Sequence, residues 1–364
     1  MADGAPPVST PSTVAPAPTE RGWGKLLIAI AVFLFLPLVP SVRAVLPIEE
    51  TIVLFAPAVA ACALVGWWAG GRAFLAIAWV AIAVLLTAAS AKGPGTHGGG
   101  FENLERGWSL LLAGSFGLVC LLGVQRPLFT RALLALGTTL GLAAIMSLVG
   151  PVSPSQASTI VAEEFTRRNT ETVTRMNAVI ASHQQEWTEL VARVPQMADL
   201  ANETDKDLTL VSGWGRTVFP ALLALQSLAA LALAWATYHR LGRARLGAPL
   251  RPLREFRFND QLVWGLIVGL TIMLLPTLAP VRDVGKNLLV FFGALYAVRG
   301  LGVLTWFMAP GSLGVALAFA FVLLVAPVLN AFAALAFLTL AVAALALGLG
   351  DTWADWRSRA RSTM

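Results

Sequence analysis

Long runs of apolar residues recur about ten times along this chain. Each run approaches the roughly 20 residues that an α-helix needs to cross the hydrocarbon core of a bilayer. They predict an all-α integral membrane protein with about ten transmembrane helices and one extracytoplasmic helical insertion. Only Pro310, Gly311 and Asn330 interrupt 309–332, so this stretch holds one span or two. The predicted spans are 24–41, 51–69, 72–90, 108–124, 129–149, 214–238, 261–280, 287–308, 312–329 and 331–349.

Composition supports the membrane class. Of the 364 residues, 57% are hydrophobic and only 13% are charged, whereas soluble domains carry roughly a quarter charged residues. The net charge of +6 comes largely from arginines next to spans. Attraction to anionic lipid headgroups explains this charge, so we predict a lipid bilayer as partner and no nucleic acid.

The polar segments divide the chain into five parts. Residues 1–22 are rich in proline, alanine, serine and threonine, which predicts a disordered cytoplasmic tail. The remaining parts are an N-terminal transmembrane bundle at 23–150, an extracytoplasmic helical region at 151–213, a C-terminal transmembrane bundle at 214–350 and a basic cytoplasmic tail at 351–364.

The distribution of loop charge predicts the orientation. With both termini in the cytoplasm, the inner segments hold 14 basic and 6 acidic residues, and the outer segments hold 11 basic and 14 acidic. Because short cytoplasmic loops attract lysine and arginine, we predict a bacterial cytoplasmic (inner) membrane protein with both termini inside. The most basic inner loop lies at 239–258. Its arginines only fix the orientation of the protein in the membrane, or they also bind lipid headgroups or a partner protein. Its arginines are Arg240, Arg243, Arg245, Arg251, Arg254 and Arg257.

The extracytoplasmic region contains a heptad-like stripe of apolar side chains from Phe165 to Met197. This spacing predicts one long helix over about 157–194, which Pro195 kinks or ends. The stripe packs back onto the protein itself, or it pairs with a second copy or another protein.

Arg299 is the most unusual residue, because it lies near the middle of an otherwise apolar span. An arginine at the bilayer centre costs about 2.5–3.5 kcal/mol on insertion scales, so it needs acceptors inside the bundle. Tyr296 shares its helix face, and Gln226 and Asn330 are further polar groups within spans. One interpretation is a pocket for an anionic ligand. The other is a structural arginine bonded to backbone carbonyls, or one that snorkels to the interface.

We identify no catalytic residue, metal site or cofactor in the sequence. The patterns GxSxG, HExxH, GxGxxG and the P-loop are absent. Cys62 and Cys120 lie in apolar runs and are expected to be small buried side chains. Glu49 and Glu50 are expected to be solvated interface charges. Two further carboxylates, Asp351 and Asp355, are expected to pair with the arginines that follow them in the tail.

Three pairs of glycines spaced four residues apart lie in apolar spans. They begin at Gly66, Gly137 and Gly265. Small residues let helix backbones approach closely, so internal packing is the expected role and homodimerisation the alternative.

The C-terminal third resembles the YybS-like family of uncharacterised bacterial multi-pass membrane proteins. The resemblance covers about 250–358 and runs from FNDQLVWGLIVGL through NLLVFFGALYAVRGLGVLTWF to GLGDTWADWRSR. It implies a multi-pass membrane protein and assigns no activity. The matching positions are Trp264, Tyr296, Gly300, Gly348, Asp351, Asp355, Trp356 and Arg357.

These observations predict a non-catalytic bundle that binds small molecules or resembles a transporter. The alternative is a membrane scaffold that organises partner proteins through the extracytoplasmic helix and the arginine-rich loop. An enzyme that uses Asp351 and Asp355 on lipid-linked substrates is a third, weaker hypothesis.

Overall fold

The fold is seen in a computed structural model that describes most of the chain. Every regular element within the described residues is a helix. The described residues are 22–43, 45–89, 99–123, 126–150, 153–193, 213–242, 246–307 and 330–356.

Eleven helices carry the architecture of the described residues, and we number them in chain order. They are α1 (Trp23–Phe35), α2 (Thr51–Trp68), α3 (Ala73–Ala89), α4 (Gly99–Leu122), α5 (Leu128–Val149), α6 (Pro154–Ser182), α7 (Gln184–Arg193), α8 (Phe219–Leu241), α9 (Val263–Leu274), α10 (Arg282–Phe307) and α11 (Asn330–Ala354).

Five helical segments of the described residues are long and apolar enough to cross a membrane, and four shorter apolar segments accompany them. The all-helical class is therefore confirmed, whereas the count of ten spans remains a prediction. The predicted span at 312–329 lies outside the described residues. The five are Thr51–Trp68, Gly100–Leu122, Leu128–Val149, Phe219–Leu241 and Pro276–Phe307.

Prolines account for two of the differences between the predicted and observed spans. Within the first predicted span, 24–41, the α-helix ends at Phe35, and a 3-10 turn at Leu36–Leu38 follows. The predicted span 261–280 ends as an α-helix at Leu274, because Pro276 lacks the N–H group that would continue the hydrogen-bond ladder. The chain then passes through a 3-10 segment into α10.

The N-terminal core forms around α2, which packs against α3, α4 and α8. Small side chains on α2 let these helices approach, and a side chain at Gly66 would overlap the ring of Tyr238. Trp235 of α8 packs edge-on against Phe116 of α4 at 6.2 Å between ring centroids. Cys62 and Cys120 are buried free thiols in this core, as expected.

The predicted extracytoplasmic helix is two helices, α6 and α7, with the break at His183. The first half of α6 packs back onto the bundle, because Phe165 is buried against Phe219 of α8. The described side chains from 181 to 185 are exposed. We call the end of the bundle that carries α6 and Glu49 the α6 end, and the opposite end, which carries residues 246–259, the loop end.

The C-terminal unit is built on close glycine contacts. Gly265 and Gly269 of α9 face Phe292 and Leu288 of α10, an antiparallel pairing. Gly300 of α10 faces the Ala344 carbonyl of α11, and Gly348 faces the Tyr296 carbonyl. Gly300 thus contacts Ala344, four residues before Gly348, and Gly348 contacts Tyr296, four residues before Gly300. The backbones of α10 and α11 are therefore in direct contact at these two glycines.

Asn287 of α10 ties this unit to α8 at the α6 end. Its side chain accepts a hydrogen bond from the Ala221 N–H at 2.9 Å and donates one to the Thr217 carbonyl at 2.9 Å.

Candidate functional site

The guanidinium of Arg299 is the centre of a buried charged site between α9, α10 and α11. Its Nε donates to Asp351 Oδ2 at 3.0 Å, and its Nη2 donates to the Asp351 carbonyl at 3.2 Å. Nη1 lies 2.5 Å from Asp260 Oδ1. The side chains of Arg299 and Asp351 are 3% and 0% exposed, but that of Asp260 is 58% exposed. Two carboxylates therefore surround one guanidinium, and one of them is open to the surface.

The position of Arg299 corrects the sequence prediction. The residue lies eight positions before Phe307, the last residue of α10, so it faces the loop end and not the middle of the helix. Asp351 lies inside α11 and not in a tail, and it pairs with Arg299 rather than with the local arginines. Gly300 and Gly348 bring α10 and α11 close enough for this pairing.

Aromatic rings cover the site. The Phe258 ring centroid lies 5.4 Å from Arg299 Cζ, within the range of a cation–π contact. Tyr296, buried on the same helix face as Arg299, packs edge-on against Phe258 and points its hydroxyl at the Asp260 carbonyl at 3.5 Å. Tyr296 and Arg299 thus both reach Asp260 from one face of α10.

Residues 246–259, which we call the strap, hold Asp260 in place from the loop end. Arg131 of α5 donates to the Leu246 carbonyl at 2.6 Å, and Trp235 Nε1 donates to the Ala248 carbonyl at 3.1 Å. Further along, a side chain at Gly302 of α10 would overlap the Leu253 carbonyl. The strap therefore connects the N-terminal helices to the Arg299 site.

The arginines of the predicted basic loop differ in their surroundings. Arg240 folds back to the Ala236 carbonyl at 2.8 Å, and Arg257 forms an ion pair with Asp355. Among the described members, Arg251, Arg254 and Arg257 are exposed, and Arg257 is exposed although it pairs with Asp355. Arg243 and Arg245 lie outside the described residues.

Gln226 and Arg299 do not share a pocket. Gln226 lies near the α6 end, where it accepts from the Ile48 N–H at 3.0 Å and donates to the Ile48 carbonyl at 2.7 Å. Asn330 is the first residue of α11, and its side chain is not among those described. Of the four predicted ligand residues, the structure brings together Arg299 and Tyr296.

A second buried charged cluster lies at the α6 end. Arg168 is 1% exposed, and its Nε lies 2.8 Å from carboxylate oxygens of both Glu49 and Glu164. Arg43 pairs with Glu49 at 3.0 Å. Arg167 also donates hydrogen bonds to Glu164, and this contact raises the pKa of Arg167. Glu49 was expected to be a solvated charge, but it fastens α6 to the chain before α2.

The described carboxylates offer no metal centre. Within this part of the chain, no group of three or more histidine, cysteine, aspartate or glutamate side chains could hold a metal ion. Asp351 pairs with Arg299, and Asp355 pairs with Arg257, so the two carboxylates have different partners.

Sequence reasoning missed Asp260 and Asp351 as the partners of Arg299. A signal was present, since both carboxylates stand at ends of apolar runs on the side that the charge distribution assigns to the cytoplasm. A buried guanidinium requires a nearby counter-charge, which would have directed attention to them.

The helices and their buried charges define an all-helical membrane protein. Its sequence belongs to the family described as predicted membrane protein (DUF2232), whose model matches residues 109–349. The match covers α5 to α10 completely and most of α4 and α11, and it extends well beyond the C-terminal third. No curated protein and no solved structure matches the chain.

Proposed function

We propose that this protein is a non-catalytic bundle that binds a small anionic molecule, in the manner of a transporter. The single observation that supports this is the unequal exposure of the two carboxylates on Arg299. Asp351 is fully buried, whereas Asp260 lies on a single 3-10 turn and is 58% exposed. An anion that arrives from the loop end can therefore replace Asp260 at Nη1 and leave the Asp351 contact intact.

The proposed site suits a carboxylate or phosphate group. A guanidinium presents paired N–H donors that match the oxygens of both groups. Phe258 and Tyr296 limit access of water, and in such surroundings charged hydrogen bonds strengthen. Asp260 occupies the position of the ligand's anionic group while the site is empty.

Ligand binding is expected to raise the melting temperature of the purified protein. A ligand at 100 times its Kd stabilises the folded state by about 2.7 kcal/mol. In a screen of anionic metabolites, Asp260→Asn should bind the same ligand up to about tenfold more tightly, because it removes the competing charge. Arg299→Gln should abolish the response.

The matched control is Asp283→Asn, since Asp283 is an exposed carboxylate of α10 that pairs with Lys286 away from the site. This variant should respond like the parent. A screen in which no anion stabilises the parent, or in which Arg299→Gln responds equally, would contradict the proposal.

A membrane scaffold is the second candidate. Its support is that Arg168 and Phe165 anchor the first half of α6 to the bundle, while the described side chains at 181–185 are exposed. Deleting 174–208 retains the anchor and removes the exposed part. We expect this deletion to abolish recovery of partner proteins in crosslinking pull-downs, with the melting temperature as the control for folding. Unchanged recovery would count against the scaffold.

We also propose the orientation and location that the loop charges favour: a bacterial cytoplasmic membrane with both termini inside and anionic lipid near Arg251 and Arg254. A cysteine at Ala181 should react with an impermeant maleimide in intact cells, and one at Arg251 only after permeabilisation. Cys62 and Cys120 are buried and add little background. The reverse labelling pattern would overturn this topology.

Within its family, we propose that the chain is YybS-like. The positions that suggested this resemblance include Tyr296, Gly300, Gly348 and Asp351. These four residues meet where α10 and α11 cross, so the resemblance concerns the proposed binding site.

A further inference from the structure

A groove of about 430 Å³ lies between α4 and α5, away from the Arg299 site. Its lining is almost entirely apolar or glycine, and its volume falls in the range of small-molecule sites, about 300–1,000 Å³. The residues that matter here are Gly107, Gly114 and Ser115 on α4 and Thr138, Leu142 and Met146 on α5.

Ser115 is the distinctive residue of the groove. It is 5% exposed, and its hydroxyl has no hydrogen-bond partner within the described part of the chain. Two other hydroxyls on these helices, by contrast, are satisfied: Thr138 donates to the Leu134 carbonyl at 2.8 Å, and Ser109 donates to the Val53 carbonyl. Since buried polar groups are normally paired, the Ser115 hydroxyl indicates a missing partner in the groove.

The glycines of the groove leave space that the described helices do not use. A Cβ at Gly107 or Gly114 would meet no atom within 4 Å. By contrast, a Cβ at Gly265 or Gly300 would overlap a neighbouring helix. Gly265 and Gly300 therefore serve internal packing, whereas Gly107 and Gly114 leave a channel open along the bundle surface.

The length and position of the groove favour a lipid chain over a protein helix. From Gly107 to Leu118 the groove follows α4 for about 16 Å, roughly half of the 30 Å hydrocarbon core. The ion pair of Glu102 and Arg106 stands just before Gly107. Because charged side chains are costly inside the bilayer, we place the membrane interface at the α6 end next to this pair. A partner helix that crosses the bilayer would need a groove running through both leaflets. An acyl chain of a lipid in one leaflet fits a groove of this length.

We propose that this groove binds an acyl chain from the leaflet at the α6 end, and that the chain carries an oxygen which pairs with Ser115. Ser115 lies about 12 Å deeper than Gly107 along the helix. The oxygen therefore belongs to a hydroxyl or carbonyl near the middle of the chain and not to the headgroup. Leu142 and Met146 enclose the chain on the α5 side.

Photolabelling of the full-length protein in nanodiscs tests the proposal. The probe is a diazirine-bearing stearic acid, and the competitors are stearate and a hydroxystearate with its hydroxyl in mid-chain. We expect labelled peptides from α4 and α5, and about 2- to 10-fold better competition by the hydroxystearate, as one net hydrogen bond implies. Ser115→Ala should remove this preference and keep the labelling.

Gly114→Leu fills the groove and should abolish the labelling. Gly293→Leu is the matched control, since a Cβ at Gly293 also meets no atom within 4 Å, and it should label like the parent. Labelling elsewhere, equal competition in the parent, or full labelling of Gly114→Leu would overturn the proposal. So would a crosslinked dimer of the parent that Gly114→Leu removes, because the groove would then hold a helix of a second copy.

Discussion

Arg299→Leu is expected to lower the free energy of unfolding by about 3–5 kcal/mol, because it leaves the Asp351 carboxylate buried without its counter-charge. Asp351 is 0% exposed, so water cannot replace the lost partner. Equilibrium unfolding in mixed micelles measures this loss. If Arg299 is a structural residue with permanent acceptors inside the bundle, Arg299→Gln should lower the free energy of unfolding as well.

The double variant Arg299→Leu with Asp351→Leu separates the pair from its surroundings. Replacing both members of a buried ion pair by apolar side chains is often neutral or stabilising. We therefore expect the double variant to recover most of the loss. Arg254→Leu, at a half-exposed arginine, should stay within about 0.5 kcal/mol of the parent. If Arg299→Leu unfolds like the parent, the buried pair contributes nothing to the stability of the bundle.

Gly300→Ala is expected to have the second large effect. A methyl group at this position would overlap the Ala344 carbonyl of α11, and the backbone of a helix cannot move aside as a side chain can. Overpacking of this kind costs typically 1–3 kcal/mol and occasionally more. Gly348→Ala should behave alike, because it meets the Tyr296 carbonyl.

Gly293→Ala on the same helix is the control for Gly300→Ala. Its Cβ meets no neighbour within 4 Å, and alanine favours the helix by up to about 1 kcal/mol over glycine. This variant should be neutral or slightly stabilised in the same unfolding measurement. Equal effects of the two substitutions would mean that α10 and α11 are not in backbone contact at Gly300.

The helical class and most helix positions were predictable from the sequence. A segment inside a bilayer must satisfy its own backbone groups, so an apolar run of sufficient length has to be a helix whatever its neighbours are. The predicted spans 51–69 and 129–149 accordingly coincide with α2 and α5 to within a residue or two. Helix ends near Pro37 and Pro276 were less predictable, because a proline is compatible with a kink as well as with a break.

The partners of the buried charges were decided by the tertiary structure alone. The apolar surroundings of Arg299 showed that it needed acceptors, but Asp260 and Asp351 lie 39 and 52 residues away along the chain. The same holds for Glu49, which pairs with Arg168 across more than 100 residues. A charge near a span end is compatible with solvent exposure and with burial, and hydropathy does not distinguish the two.

The glycine pairs show most clearly what the sequence determined and what the tertiary structure decided. The sequence by itself determined that the pairs beginning at Gly137 and Gly265 would present small surfaces on membrane helices. Only the tertiary structure decided that Gly265 packs against Phe292, whereas a Cβ at Gly137 would meet no atom within 4 Å. The physical reason is that spacing along one helix defines a face, but which face meets another helix depends on how all helices share the limited space of the bundle.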